Sequence, residues 1–333
     1  MADFTSEEVQ KATGARLLSS VGSVLFHDVC TDTRAVEKGS LFVAFKGTSF
    51  DGHDFVLKAL SSGAAGAVVS ELRPEYKGAA VPIFVVPDTL KAYQDLARFH
   101  RRRFSIPVIA VTGSVGKTST RNMIAAVLSK KYKVLQTEKN YNNEIGLPKT
   151  LFQLTADHEA CVVEMGMRGL GQIAELVDIG EPTIGVVTNV GKSHIELLGS
   201  QENIAKAKSE LVQGLDANGT AILNGDDPFV APMQDLCQGR SILYGTGESA
   251  HIRAENIVCD EKGVRFTCHC FDRTFDVSVP VIGRHNVYNA LAAIAAGYVT
   301  GLSDSELQAG LSAYRGMAMR QELLHLGPYN FHQ

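Results

Sequence analysis

The segment VIAVTGSVGKT, residues 108–118, joins a predicted buried strand to a predicted helix. Its first four residues are apolar, and apolar side chains recur at helical spacing after it, at Met123, Ile124, Val127 and Leu128. A strand, a glycine-containing loop, a Lys-Thr pair and a helix form the layout of a phosphate-binding loop. The spacing G-x-x-G-K-T lacks the first glycine of the full G-x-x-x-x-G-K-[ST] pattern, because position 111 is Val. We expect a phosphate-binding loop here; the alternative is an ordinary strand-to-helix turn.

The loop offers the groups that a phosphate site needs. Glycines let backbone amides approach phosphate oxygens closely, and the N-terminus of the following helix adds a partial positive charge. Lys117 can reach the terminal phosphates, and the Thr118 hydroxyl can bind Mg²⁺. The predicted nucleotide-binding residues of the loop are Thr112, Gly113, Ser114, Val115, Gly116, Lys117, Thr118 and Ser119.

The composition is that of a soluble globular protein. Of 333 residues, 45% are hydrophobic and 20% are charged, and the length suggests two or three domains. The net charge of −4 argues against a nucleic-acid-binding protein. No apolar run reaches membrane-spanning length, the N-terminus does not read as a signal peptide, and the six cysteines show no disulfide framework. We therefore expect a cytoplasmic protein with no membrane insertion and no nucleic-acid partner.

The order of predicted strands and helices indicates an α/β fold with two domains. Residues 1–105 read as a small α/β unit. Residues 106–316 alternate strand and helix, which predicts a mostly parallel sheet flanked by helices, with a small β-meander at 250–280. Residues 317–333 read as the start of a further domain.

Polar residues follow the predicted strands of the second domain at the sheet edge where ligands usually bind. Glu164 comes directly after one strand, and Asn189, Lys192 and His194 follow the next. A phosphate-binding loop with a carboxylate at a neighbouring strand end is the usual arrangement for a magnesium nucleotide. We expect Glu164 to bind the metal; the alternative is a helix N-cap or an acid in the first turn of a helix.

The predicted helix 201–214 has a lysine on its apolar face. Ile204, Lys208, Leu211 and Leu215 share this face, because they follow one another at spacings of three and four residues. A lysine in this position either extends its amine to solvent or has a function. The residues alone leave both alternatives open.

A later helix, which opens at residue 283, has two asparagines on its first turn. Asn286 and Asn289 are three positions apart, so their side chains lie on one face. They are near enough together to bind one polar edge of a ligand.

Taken together, these motifs resemble those of the Mur ligase family. The resemblance covers the whole chain, and although each motif is weak by itself, their occurrence in this order is specific. The matching segments are D-[ST]-R at 32–34, F-V-A-x-x-G at 42–47, D-G-H-x-F at 51–55, T-G-x-x-G-K-T at 112–118, N-x-N-N-x-x-G-x-P at 140–148, E-M-G-M-x-x-x-G at 164–171, T-N-x-G-x-x-H at 188–194, A-K-x-E at 207–210 and G-x-H-N-x-x-N-A at 283–290.

The resemblance implies an ATP-dependent ligase of peptidoglycan precursor synthesis. Such an enzyme joins D-alanyl-D-alanine to UDP-N-acetylmuramoyl-tripeptide through an acyl phosphate. The first domain would bind the UDP end of the substrate, with candidate residues Thr33, Arg34, Lys46, Asp51, Gly52 and His53. Further residues that would border the substrate are Asn142, Asn143 and Arg168.

The resemblance also implies roles in the central domain. The catalytic residues would be Lys117, Glu164, His194 and Lys208. Thr118 and Glu164 would hold one Mg²⁺, and Glu164, His194 and Lys208 a second. The family lysine that matches Lys208 is often carbamylated by CO₂, which turns an amine into an anionic oxygen ligand. Outside the loop, ATP would contact Asn286, Asn289 and Arg320.

Family members have a third, Rossmann-like domain that closes over ATP and carries the dipeptide site. The sequence ends soon after the point where that domain would start, at about Arg320. We therefore expect a truncated, monomeric chain that binds the UDP substrate without completing ligation. The alternatives are a non-catalytic module that binds nucleotides or UDP-sugars, and another ligase of the superfamily, such as folylpolyglutamate synthase.

Overall fold

The computed structural model describes residues 2–18, 22–193 and 195–316, together with the backbone of two short strands near the C-terminus. The chain forms two compact units. The first contains Met1–Ser105 and Glu144–Ala156, and the second contains Ile106–Asn143 and Asp157–Gln333.

The first unit is built on a small sheet. Up to residue 105 the elements are β1 (Phe4–Thr5), α1 (Ser6–Thr13), β2 (Arg16–Leu17), β3 (Leu25–Phe26), β4 (Asp28–Cys30), β5 (Ser40–Val43), α2 (Val56–Ser61), β6 (Gly66–Val69), β7 (Ile83–Val85) and α3 (Thr89–Arg101). The sheet order is β2-β7-β6-β5-β4, parallel except for β2, and β1 pairs separately with β3. Strands β5 and β6 are buried along their whole length, as apolar strands of a covered parallel sheet should be.

The second unit is built on a nine-stranded sheet. From residue 106 the elements are β8 (Val108–Thr112), α4 (Lys117–Leu128), β9 (Val134–Gln136), α5 (Gly146–Leu151), β10 (Ala160–Glu164), α6 (Gln172–Gly180), β11 (Ile184–Val187), α7 (Ile195–Leu198), α8 (Gln201–Gln213), β12 (Thr220–Asn224), β13 (Arg240–Gly245), β14 (Ile252–Asp260), β15 (Gly263–Cys270), β16 (Arg273–Val279), α9 (His285–Val299), α10 (Asp304–Ala313), β17 (Leu323–Leu326) and β18 (Tyr329–His332). The strand order of the large sheet is β16-β15-β14-β13-β12-β11-β8-β10-β9.

This sheet confirms the predicted fold class. The seven neighbouring strands from β9 to β14 in this order, which include β8, pair in parallel. Strands β14, β15 and β16 form an antiparallel meander. Helices α4 and α9 bury their apolar side chains on one face of the sheet. A Cβ added to Gly185 on β11 would lie 3.0 Å from Leu211 of α8, so α8 covers the other face.

The segment 144–156 belongs to the first unit, although the sequence analysis included it in the domain 106–316. Its helix α5 packs against α3. The Phe152 ring lies 5.1 Å from that of Tyr93 and 6.1 Å from that of Phe4. The apolar side chains of one short helix do not reveal which of two cores they enter, so the alternation of elements along the sequence could not assign this segment.

Strand β8 lies inside the large sheet, between β10 and β11. All five of its residues are buried. After β8 the chain passes the position of β10 to form β9, and it later continues on the other side of β8 with β11, so the direction of strand addition reverses at β8. In open α/β sheets, ligands bind beyond the carboxyl ends of the strands at such a point. The loop 113–116 follows β8 at this edge.

No helix within the described part of the chain is both long and apolar enough to cross a membrane. Helix α9 is apolar but has 15 residues, whereas a span needs about 20. Its residues are instead part of the core of the second unit.

Candidate active site

The loop after β8 is fixed by the residues that follow β11. The backbone N–H of Val115 donates to Asn189 Oδ1 at 2.9 Å, and Thr188 Oγ1 donates to the Val115 carbonyl at 2.8 Å. A Cβ on Gly113 would lie 1.9 Å from Thr188 Oγ1, so this position requires glycine. Gly116 has a φ of 81° and immediately precedes α4, a left-handed conformation that glycine adopts without strain. The strand, loop and helix therefore have the arrangement of a phosphate-binding loop.

Lys117 begins α4 and curls back over the loop. Its Nζ donates to the Gly113 carbonyl at 2.8 Å, so the ammonium group lies where phosphate oxygens would approach the loop amides. Phosphate-binding loops use their lysine in this way, as a positive charge over the terminal phosphates.

Glu164 ends β10 and is 3% exposed. Its Oε2 accepts a hydrogen bond from Thr118 Oγ1 at 2.9 Å, and its Oε1 accepts one from Asn142 Nδ2 at 2.8 Å. Arg121 Nη1 lies 3.4 Å from Oε2, and its side chain is buried as well. The structure therefore brings together Thr118, Glu164 and Asn142, which the sequence analysis had singled out, and adds Arg121, which it had missed.

Lys208 lies on α8 and is 3% exposed, so its side chain does not extend to solvent. Burial, and after it the positive charge of Lys117, lowers the pKa of Lys208 to about 7. A substantial fraction of the amine is consequently neutral near pH 7, whereas an ordinary lysine amine is almost wholly charged.

The donor set fits a nucleotide with Mg²⁺. A threonine hydroxyl and a carboxylate oxygen are hard oxygen ligands of the kind that Mg²⁺ prefers. Thr112 Oγ1 is also buried at the start of the loop, and among the described residues it is the one buried side-chain N or O atom without a hydrogen-bond partner. Unpartnered buried hydroxyls are rare, and this one lies where β8 ends and the loop begins.

Asn286 and Asn289 are buried beside the loop. Asn289 Oδ1 accepts from Thr120 Oγ1 at 2.9 Å, and its Nδ2 donates to Asn286 Oδ1 at 3.0 Å. A Cβ on Gly116 would lie 3.3 Å from Asn289 Oδ1. These amides therefore fasten α9 to α4 directly against the phosphate loop.

In the first unit, His53 is held from both sides of its ring. Its side chain is fully buried, with Nδ1 2.6 Å from Asp51 Oδ1. Its Nε2 accepts from the backbone N–H of Ser70 at 2.9 Å, so the proton of the neutral ring is on Nδ1 and is donated to Asp51. The buried His53 ring thus connects the loop 46–55 to the residue that follows β6.

The other candidates of the first unit are nearer to solvent. Arg34 is exposed and forms an ion pair with Asp32 at 2.6 Å, next to Thr33 on the same turn. Hydrogen bonds from Arg34 lower the pKa of Asp32 to about 2. Lys46 forms an ion pair with Glu71. A Cβ on Gly52 would lie 2.5 Å from the Phe45 carbonyl, so glycine is required there by the close backbone approach.

Four of the remaining predicted residues are outside the buried part of the site or outside the described structure. Arg168 and Asn143 are exposed. His194 and Arg320 lie outside the described residues.

No function was predicted from the sequence for Arg121 or Thr188. Arg121 is four residues after Lys117 on the predicted helix, so helical spacing could have placed both side chains on one face. The sequence predicted Glu164 beside Thr118, at the start of this helix, but nothing in it indicated that Arg121 also reaches Glu164.

Two family models match the chain. One, described as the Mur ligase middle domain, matches residues 111–297, and the other, described as the catalytic domain of the Mur ligase family, matches residues 25–101. The UDP-N-acetylmuramoyl-tripeptide–D-alanyl-D-alanine ligase of Synechocystis sp. is 47% identical over 305 residues, which are 90% of this chain and 64% of that protein. The chain thus spans 64% of the length of this curated relative.

Solved structures agree with these matches. MurF from Acinetobacter baumannii has a TM-score of 0.93 and 30% identity over 100% of this chain and 73% of that one. MurF ligase from Thermotoga maritima in complex with ADP has a TM-score of 0.81 and 28% identity, over 90% of this chain and 68% of that one. Since the middle-domain model alone covers more than half of its residues, the chain belongs to the Mur ligase family.

Proposed function

We propose that this chain acts in an ATP-dependent amide-bond ligase, which joins D-alanyl-D-alanine to UDP-N-acetylmuramoyl-tripeptide in peptidoglycan precursor synthesis. The observation that carries the proposal is the bond from Thr118 to the buried Glu164 beside a phosphate loop, in a unit that also buries Lys208. The name of the Synechocystis relative supports the choice of substrates.

The phosphate loop would bind ATP. The ADP complex of the Thermotoga MurF ligase supports this nucleotide, and the lysine and glycines of the loop suit its phosphates. Lys117 would exchange its bond to the Gly113 carbonyl for a phosphate oxygen, and would hold the terminal phosphate in place for transfer. Asn286 and Asn289 would define the edge of the site next to the loop.

Thr118 and Glu164 would hold one Mg²⁺, and Glu164, Lys208 and His194 a second. When bound, Mg²⁺ would neutralise charge that develops on the transferred phosphoryl group. Asn142 fixes the orientation of the Glu164 carboxylate through Oε1, which leaves Oε2 directed at Thr118. The protein's contribution here is a carboxylate that is already buried and oriented.

Lys208 would serve as a carbamate. Its neutral amine attacks the carbon of CO₂, one proton leaves the nitrogen for solvent, and the product is an anion with two oxygen donors. The low pKa of the Lys208 amine favours this step, because the reacting form is the neutral one.

The first unit would bind the UDP end of the substrate. Asp51 and Gly52 shape the loop that His53 anchors, and Lys46 and Arg34 supply positive charge near its surface. Asn142, Asn143, Arg168 and Thr33 remain candidates for contacts with the substrate.

The reaction would begin when the terminal carboxylate of the tripeptide attacks the terminal phosphorus of ATP, which gives an acyl phosphate and ADP. The amine of D-alanyl-D-alanine then attacks the acyl carbon, phosphate leaves, and the amine loses a proton. Residues of this chain would contribute charge neutralisation and positioning. We also propose a cytoplasmic location and a monomeric state, on the sequence properties alone.

The test is calorimetric titration of the protein with ATP and Mg²⁺, with UDP, and with UDP-N-acetylmuramoyl-tripeptide, followed by phosphate-release assays with and without D-alanyl-D-alanine. We expect the nucleotide and the UDP substrate both to bind. Failure of ATP to bind in the presence of Mg²⁺ would exclude the proposal. That residues 1–333 alone bind without completing ligation stays a prediction, and dipeptide-dependent phosphate release by this polypeptide would contradict it.

A further inference from the structure

Arg121 is a buried cation inside the candidate metal site. Its side chain is 4% exposed, and it lies on α4 one turn after Lys117. Two of its nitrogens, Nε and Nη2, donate to Asn122 Oδ1 at 3.0 and 2.7 Å. Its third nitrogen, Nη1, lies 3.4 Å from Glu164 Oε2 and 3.4 Å from the Lys139 carbonyl. The guanidinium group is therefore held in place by several partners, of which Glu164 is one.

Arg121 and Thr118 approach the same oxygen of Glu164. Oε2 accepts from Thr118 Oγ1 at 2.9 Å, and it is also the oxygen nearest to Arg121. A metal ion bound by Thr118 and Glu164 would take this oxygen as a ligand and would replace the Thr118 hydrogen bond. Because Asn122 and the Lys139 carbonyl also hold Arg121, its positive charge would remain beside the metal ion.

The charges of the site do not favour a divalent cation by itself. Two permanent or nearly permanent cations, Arg121 and Lys117, accompany the carboxylate of Glu164. Lys208 adds no negative charge as an amine. As a carbamate it would carry one, and the net charge of Lys208 together with these three residues would then be zero. The phosphates of a nucleotide would supply the negative charge that this set lacks.

We propose that Arg121 is the resident counter-cation of the metal site, and that it makes the site accept a divalent cation only together with the nucleotide phosphates. This inference rests on the proposed function, because it assumes that Thr118 and Glu164 bind the metal of a nucleotide complex. In the absence of metal, Arg121 compensates the buried charge of Glu164, which would otherwise be strongly unfavourable. In its presence, Arg121 weakens the attraction between Glu164 and a free cation.

The first experiment uses the unaltered protein and Mn²⁺ as the probe. Free Mn²⁺ is measured by electron paramagnetic resonance, without nucleotide and with a non-hydrolysable ATP analogue. We expect binding to be at least about tenfold tighter with the analogue, since its phosphates reverse the charge of the site. Equally tight Mn²⁺ binding without the analogue would overturn the inference, although the proposed nucleotide function would stand. No binding of the analogue at all would instead overturn the proposed function.

The second experiment compares Arg121→Gln with Arg121→Lys. Arg121→Gln removes the charge, so we expect Mn²⁺ to bind the nucleotide-free variant at least about tenfold more tightly than the unaltered protein. Arg121→Lys keeps the charge and should retain the weak binding of the unaltered protein. The matched control is Arg253→Gln, which removes an Arg–Glu pair of the same unit from the meander strand β14.

A purely structural role for Arg121 predicts a different result. Both substitutions at Arg121 would then lower the thermal stability and neither would tighten Mn²⁺ binding. A folded Arg121→Gln variant that binds Mn²⁺ no better than the unaltered protein would thus contradict the inference. If Arg121→Gln does not fold, equally tight Mn²⁺ binding with and without the nucleotide analogue in the unaltered protein would still overturn the inference.

Discussion

Replacing Lys208 by methionine is expected to stabilise the nucleotide-free protein, by an amount that falls as the pH rises. Burial, followed by the charge of Lys117, lowers the pKa of the Lys208 amine from 10.5 to about 7 in the folded protein. The unfolded chain therefore binds this proton more tightly than the folded one. Lys208 therefore lowers the free energy of unfolding, and this penalty has its full size below pH 7. It decreases between pH 7 and 10.5 and disappears above pH 10.5.

The size of the effect follows from the two pKa values. The difference between 10.5 and about 7 corresponds to about 5 kcal/mol when the penalty is complete. At pH 7.5 the penalty is about 4 kcal/mol, and at pH 9 it is about 2 kcal/mol. Methionine has a similar length and no charge, so the stability advantage of Lys208→Met should shrink by about 2 kcal/mol over this range.

The assay is urea unfolding, followed by circular dichroism at several pH values between 7.5 and 9. The buffers contain a chelator and no CO₂, so that the amine stays unmodified. Lys206→Met is the matched control, because Lys206 is exposed on the same helix, and this variant should follow the unaltered protein at every pH. Other titrating groups cancel in the difference between the two proteins.

A stability difference that stays constant from pH 7.5 to 9 would refute the reasoning, as would an unaltered protein more stable than Lys208→Met at pH 7.5. Adding bicarbonate and Mg²⁺ supplies a second comparison. A carbamate removes the positive charge of Lys208, so the unaltered protein should gain stability in this buffer and Lys208→Met should not.

Three further outcomes are expected. Lys117→Met should weaken ATP binding by about 10- to 150-fold in calorimetry, through loss of a charge-assisted contact worth about 1.5–3 kcal/mol, whereas the exposed Lys133→Met should not. Gly113→Ala should abolish ATP binding while cooperative unfolding persists, since the new methyl group would lie 1.9 Å from Thr188 Oγ1 and displace the loop; ordinary ATP affinity would contradict this. His53→Ala should lower the free energy of unfolding by about 1–3 kcal/mol in denaturant titrations, because it leaves the partly buried N–H of Ser70 without an acceptor, and an unchanged midpoint would disprove that role.

Local sequence patterns were sufficient for the centre of the second unit. The apolar run of β8, the glycines after it and the helical spacing of Met123 and Val127 all act within a few residues, so they could be read directly. The apolar stripe of α8 also placed Lys208 on the inner face of its helix, but it left open whether the amine extends to solvent, and the structure shows that the side chain is buried. Such patterns predict local structure because apolar residues that recur with the period of a helix or strand lie on one face of it, and that face is buried.

Features that depend on distant parts of the chain could not be predicted in this way. The pairing of Arg121 with Glu164 joins residues 43 positions apart, and although Glu164 was predicted near Thr118, the sequence does not show which further side chain of α4 reaches it. The segment 144–156 enters the first unit although it is flanked by elements of the second. His53 was predicted as a substrate-binding residue, but its ring makes internal hydrogen bonds that no motif encodes.

The phosphate loop departs from the full sequence pattern at position 111, and the fold accounts for the departure. Val111 is buried within β8, where it is paired in register with Glu164 on one side and Val186 on the other. A glycine there would remove a core side chain and weaken the strand. The loop instead begins at Gly113, and bonds from the residues after β11 fix its conformation without the missing glycine. Because these bonds form on folding, the loop is already ordered when a nucleotide arrives, and less ordering entropy opposes binding.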